Sequence, residues 1–151
     1  MSKSTLGWTL KIGVLGLLLP AMPSLAQLPT VELTAGMYRI EAELAHLPDT
    51  RATGLMNRES MPVNHGMVFV FTGDAGHCMW MRNTLLPLSV AFLDAEGRIL
   101  NIEDMQPQTD DSHCAAAPAR FALEMNQGWF SERGIKPGQA IRGVKELPAG
   151  R

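Results

Sequence analysis

The residues of this chain with the greatest chemical reach fall into three sets. The first is a pair of His-Cys steps, His77-Cys78 and His113-Cys114, which between them hold both cysteines. Two thiolates and two imidazoles could complete a tetrahedral zinc site or a copper(I) site, with Met79, Met81 or Met105 as soft additional ligands. The two sulfurs could instead join as one disulfide. Neighbours on an extended strand point to opposite faces, which makes His77 and Cys78 an awkward pair for a single ion. No C-x-x-C occurs, so a thioredoxin-like dithiol has little support. The ten methionines are scattered along the chain and read as adaptable core filler rather than as copper ligands.

The second set is cationic and aromatic. Arg51 and Arg58 lie seven residues apart, so a helix would place them on one side, two turns apart. Two guanidiniums so placed invite a carboxylate or a phosphate. Trp80 and Arg82 share one face of an extended segment, a combination suited to sugars, aromatics or anions. Asn83 and Thr84 add neutral hydrogen-bonding groups at its end. Together with Asp104 and Asp111 these form the candidate binding surface. The plainer alternative buries Trp80 in the core and pairs the arginines with Asp104, Asp111 or Glu124. The third set is acidic: Asp104, Asp110, Asp111 and Glu124. Two carboxyls about 5 to 10 Å apart across a cleft could support hydrolase or lyase chemistry, whereas solvated loop and strand-edge charges would not. No G-x-S-x-G is present, and Asp111, Ser112 and His113 are adjacent in sequence, which does not make a triad.

These residues must be positioned in some compartment and by some fold. Lys3 and Lys11 are the only charges in the first 26 residues. An apolar run from Ile12 to Leu19 follows, then Pro20, Pro23 and the small residues of Ser24-Leu25-Ala26. That pattern is a secretory signal peptide, with cleavage expected before Gln27. The run falls short of the about 20 residues needed to span a bilayer, and no later segment is long enough, so no membrane span is expected in the mature chain. A periplasmic or secreted protein of residues 27–151 is expected. It keeps 11 of the 13 basic residues against 15 acidic ones, a formal charge of −4. No basic patch survives, which excludes nucleic acid as an expected partner. An even cysteine pair in an exported chain favours a Cys78–Cys114 disulfide. Closing 36 residues would contribute about 3 to 4 kcal/mol on the chain-entropy model.

The periodicities predict many short strands. Met37 to Ala45 alternates apolar and charged residues. Asp49 is a plausible cap for a helix from Thr50 to about Arg58, whose buried face is Ala52, Leu55 and Met56. Gly54 in the middle of that helix suggests close approach of another backbone. Met67 to Phe71 is a buried strand. Cys78 to Asn83 is predicted as a strand with Met79 and Met81 inward. Ser89 to Leu93 and Arg98 to Met105 flank Asp94-Ala95-Glu96-Gly97, a strong hairpin signal. Gln106 to Pro118 is a long polar loop pinned by its cysteine. Arg120 to Met125 is predicted as a strand with Phe121, Leu123 and Met125 inward and Arg120 and Glu124 outward. A short helix over Gln127 to Arg133 and a strand over Gln139 to Val144 complete the domain. Leu28 to Thr34 reads as a lead-in and Lys145 to Arg151 as a frayed tail. The expectation is a mainly β (α+β) chain: one compact, partly open, barrel-like β domain of about seven strands with one or two short helices.

Several fragments stand out in this order: Arg51-Ala52-Thr53-Gly54-Leu55-Met56-Asn57-Arg58, Gly66-Met67-Val68-Phe69-Val70-Phe71, Trp80-Met81-Arg82-Asn83-Thr84-Leu85-Leu86-Pro87-Leu88, and Asp94 to Gly97. In spacing and type they resemble domain-of-unknown-function family 192, also called uncharacterised protein family 0127, across Val31 to Val144. The resemblance implies a compact, mostly β, barrel-like domain carrying a helix, often exported. It implies no activity. The family pattern often has an acidic residue after the P-L pair, where this chain has Ser89. The sequence therefore reads as an exported, non-enzymatic binding or accessory domain for a small polar or anionic ligand, with no cofactor expected. The alternatives are a hydrolase or lyase using the loop carboxylates, and a zinc or copper binder at His77, Cys78, His113 and Cys114.

Overall fold

The computed structural model describes residues 28–151; the expected signal peptide lies outside them. Strands β1 (Thr30–Ala35) and β2 (Tyr38–Ala45) form a hairpin, followed by helix α1 (Pro48–Thr53) and the long strand β3 (His65–Ala75). After the two-residue β4 (Cys78–Met79) come the hairpin of β5 (Leu88–Leu93) and β6 (Ile99–Met105), and a second two-residue strand, β7 (His113–Cys114). The chain ends with β8 (Ala119–Asn126), helix α2 (Trp129–Glu132) and β9 (Ile141–Arg142). Seven strands build one curled, half-barrel sheet in the order β6-β5-β8-β3-β2-β1-β9, and β4 pairs with β7 apart from it.

Local chemistry accounts for several of these elements. The β5–β6 hairpin turns where Asp94 Oδ1 accepts from the backbone N–H of Glu96 at 2.9 Å and of Arg98 at 2.8 Å, a side chain mimicking backbone. Within the large sheet β2 and β3 are the parallel neighbours. Parallel strands cannot be joined by a tight turn and need a crossover. Residues 46–64, including α1, supply it and run over the outer face of the sheet.

The curl gives the sheet two apolar faces. Inside lie Leu33, Ile40, Val68, Leu93, Leu123 and Trp129, among others. Outside lie Met67, Phe69, Val90, Phe92 and Ala122, covered by Leu55 from the crossover and by Met81 from the segment after β4. Strand β5 is buried at all six positions because both of its faces are covered. The sheet edges meet near Gly97 to Ile99. Arg98 bridges to Ala140, Ile99 N–H donates to Gln139 at 2.8 Å, and Ile141 N–H donates to Gly97 at 2.9 Å.

The expected half-open barrel is therefore the fold observed. Several element boundaries differ. The lead-in is strand β1, paired with β2 along its whole length. The predicted helix from Thr50 to Arg58 begins at Pro48 and stops at Thr53, because Gly54 adopts φ +49 and ψ −134. Arg58 thus lies beyond the helix, and it does not share a helical side with Arg51. The predicted strand from Cys78 to Asn83 ends at Met79. Met81 to Thr84 is a turn, with Thr84 N–H donating to Met81 O at 3.1 Å and Asn83 at φ +56. Met81 is fully buried, as its alternation predicted. Helix α2 and strand β9 are shorter than Gln127 to Arg133 and Gln139 to Val144. The tail is docked rather than frayed: Val144–Glu146 form a 3-10 turn, and Arg151 N–H donates to His46 O at 2.9 Å.

Candidate functional site

Glu124 stands on the outer face of β8, opposite Met67 of β3 and Val90 of β5 in the sheet register. It is only 4% exposed. No donor among the described residues reaches its carboxyl, and burial alone pushes it up to about 8. Above it is a cavity of about 250 Å³. Phe69 and Phe71 of β3 line one side. The end of α1 and the turn after it, Arg51 to Met56, line another. Cys78, Met79, Trp80 and Thr84 complete the wall.

The two fragments richest in signature residues fold against each other to make this cavity. Arg51 Nη1 donates to His46 O at 2.7 Å and Val70 O at 3.1 Å, and its Nη2 donates to Arg151 O at 2.7 Å. Its planar fork thus ties helix, sheet and tail together. A Cβ at Gly54 would stand in ordinary contact with the ring of Phe69, at 3.4 Å, so it is the φ of +49 rather than the space that calls for glycine. Asn57, at φ +61, donates its N–H to Asn83 O at 2.8 Å and joins the two fragments directly. The long loop closes the far side: Gln108 N–H donates to Thr84 O and Met81 N–H to Thr109 O, each at 3.1 Å. Cys78 and Cys114 face each other across β4 and β7 and form the disulfide, with an S–S distance of 2.05 Å.

Of the eight candidate binding residues, Arg51, Trp80 and Thr84 meet at this cavity. Arg58 instead makes a two-pronged pair with Glu43, which raises the guanidinium's pKa chiefly through that hydrogen bond. It lines a separate open groove of about 800 Å³ with Asp49, Asn57 and Glu59. Arg82 is exposed, lies 4.2 Å from the centre of the Trp80 ring and donates to Asp110 at 2.9 Å. Trp80 is half exposed rather than core. Asn83 contributes its backbone carbonyl and its left-handed turn. Asp104 accepts from Ser89 Oγ at 2.5 Å, and that same oxygen accepts from Gly128 N–H at 2.9 Å. Asp111 is exposed on the loop. The arginine cluster expected from the sequence therefore does not assemble.

The remaining alternatives fare differently. In the register of the sheet Asp104 pairs with Ser89 and Glu124 with Val90. Adjacent residues of one strand face opposite ways, so these two carboxyls lie on opposite faces of the sheet. The four metal-ligand candidates are otherwise engaged: both sulfurs are in the disulfide, His77 Nε2 contacts Gly73 O at 2.8 Å, and His113 Nδ1 contacts Glu103 at 2.9 Å. Among the described residues no group of three or more His, Cys, Asp or Glu is placed to hold a metal. Glu124 was predicted to face outward, and it does, but outward is not solvent here. Ala122 shares its parity, and β5 is apolar at both parities apart from Ser89. These were the available signs of a second packed face.

Comparison with known proteins agrees with this architecture. The family model DUF192, described as "Uncharacterized ACR", matches residues 31–143, which include every residue around the cavity. A crystal structure of a protein of unknown function from Novosphingobium aromaticivorans is 32% identical. It covers 82% of this chain and 92% of its own, with a TM-score of 0.75. A protein from Sinorhizobium meliloti provisionally described as a transcription regulator is also 32% identical. It covers 77% of this chain and 93% of its own, with a TM-score of 0.70. No curated protein matches the chain.

Proposed function

We propose that this chain, which belongs to domain-of-unknown-function family 192, is an exported, non-catalytic domain whose cavity over Glu124 takes a small polar ligand. One observation carries the reading: a buried carboxyl without a protein partner looks into a walled cavity. Its oxygens make no hydrogen bond within the protein and face the cavity, so a ligand that supplies the partner meets an open hydrogen-bonding site. The cavity wall holds a single carboxyl, which supports binding over paired-carboxylate hydrolysis. Three of the five Arg51 N–H donors are committed to backbone carbonyls and Arg58 and Arg82 lie elsewhere, so the polar half of the expectation of a small polar or anionic ligand is the one retained.

The compartment is part of the same proposal. The Cys78–Cys114 disulfide fits an oxidising environment, periplasmic or extracellular. No helix among the described residues is long and apolar enough to cross a membrane. The description of the Sinorhizobium relative points toward nucleic acid. The acidic excess of this chain gives that reading no support here.

A thermal-shift screen on wild type and Glu124→Gln at one fixed ligand concentration tests the reading. A true ligand at about 100 times its Kd adds about 2.7 kcal/mol, which is several degrees in Tm. It should stabilise wild type and lose most of that effect in Glu124→Gln. Ligands that stabilise both proteins equally would remove Glu124 from the site.

A further inference from the structure

The polar inventory of the cavity restricts what group it can receive. Arg51 reaches it, with three of its five N–H donors committed to backbone carbonyls. Thr84 Oγ1 already donates to Arg82 O at 3.3 Å and keeps its acceptor capacity. Glu124 has no donor. Thr84 Oγ1 and, once ionised, the Glu124 carboxylate therefore both accept hydrogen bonds. The rest of the wall is aromatic or thioether, with Phe69, Phe71, Trp80 and Met79 prominent. Aromatic rings receive a cation better than an anion. An anion would also meet Glu124, with only the two uncommitted N–H groups of Arg51 to hold it. The volume of about 250 Å³ lies below the common range for drug-sized ligands, so the ligand body is small.

We propose that the cavity takes a small primary ammonium compound, its –NH3⁺ set against Glu124 and Thr84 and its apolar remainder against Phe69, Phe71 and Trp80. The assignment rests on the reading of this cavity as a ligand site. An ammonium group brings three donors and one positive charge, which supplies what the site lacks in one step.

A proton linkage follows. In the empty cavity Glu124 holds its proton up to about pH 8. An ammonium ion pairs with the carboxylate, so binding expels that proton. Affinity then rises with pH, by up to about tenfold per unit between pH 6 and 8, and levels above pH 8. Other charged or titratable groups nearby are few. Arg51 faces the cavity from α1, Arg82 lies over the Trp80 ring at 4.2 Å while paired with Asp110, and His77 stacks on Phe71 at 3.8 Å while holding Gly73 O. From β3, β5 and the segment after β4 the neighbours of Glu124 are uncharged: Met67, Phe69, Phe71, Val90, Met79, Trp80 and Thr84.

Isothermal titration calorimetry of the disulfide-intact protein tests this with five probes at pH 6, 7, 8 and 8.5. They are butylammonium, 2-phenylethylammonium, the neutral butanol and 2-phenylethanol, and butyrate. The expected result is that an ammonium probe binds at least about tenfold tighter than its alcohol at pH 8 and tightens with pH as above. Glu124→Gln should weaken it about tenfold or more and abolish the pH dependence, which also separates Glu124 from His77. Thr84→Val, as a second variant, should weaken it severalfold and leave the pH dependence intact. An alcohol or butyrate binding as tightly as the ammonium overturns the ammonium assignment and leaves the cavity a ligand site. So does ammonium binding indifferent to Glu124→Gln. If no probe binds, the ammonium assignment is overturned as well. The cavity reading then stands only if the broader screen finds a ligand lost in Glu124→Gln.

Discussion

Glu124 costs the fold something, and the cost depends on pH. Burial pushes its carboxyl up to about 8 in the folded protein, against 4.5 for an unperturbed glutamate. Between those values the folded protein keeps the proton and the unfolded chain has released it. Stability is therefore highest below pH 4.5 as far as this group is concerned, falls as pH rises toward 8, and levels beyond. The full difference is on the order of a few kcal/mol. Urea unfolding at pH 5 and pH 9 should show that fall in wild type and a much smaller one in Glu124→Gln. Equal falls in both proteins would assign the pH dependence to other groups. Arg51 is the counterpart on the opposite wall. Its position in the signature suggested a ligand, yet its fork donates to three backbone carbonyls. A signature residue can serve a site by building its wall.

The elements were legible where local chemistry decides them and illegible where packing does. The hairpin at Asp94 to Gly97 is set by one aspartate closing its own turn, and it forms as the sequence predicts. The predicted strand from Cys78 to Asn83 fails after two residues. Alternating Met79 and Met81 satisfy an irregular segment lying on the sheet as readily as a strand. Strand β1 is the element that a Pro-containing lead-in conceals: Val31, Leu33 and Ala35 alternate with Thr30, Glu32 and Thr34, and the segment pairs with β2 along its length. Helix α1 was extended to Arg58 because the apolar positions Ala52, Leu55 and Met56 continue at helical spacing. Gly54 ends it by leaving the helical region, a conformation that L residues rarely adopt. Gly54→Ala should therefore cost about 1 to 3 kcal/mol, read as a lower urea midpoint at unchanged slope. The added methyl group would rest in ordinary contact with Phe69, so the cost is one of backbone conformation. A neutral outcome would mean that the turn has another conformation available.

For the molecule as a whole, the disulfide ties the long loop to the segment that walls the cavity. Cys78→Ser with Cys114→Ser should cost about 3 to 4 kcal/mol on the chain-entropy model, seen in urea unfolding of the double variant against the oxidised wild type. Dithiothreitol should bring wild type to the same midpoint and leave the double variant unmoved. A loss well below this size would indicate that the loop is held mainly by its backbone bonds to Met81 and Thr84.

Strand β8 alternates between two environments one residue apart. Phe121, Leu123 and Met125 pack inside the barrel, while Ala122 and Glu124 belong to the outer face. The protein is therefore a redesignable receptacle. Exchanging the side chain at position 124 changes what the pocket asks of a guest without disturbing the interior that keeps the barrel folded.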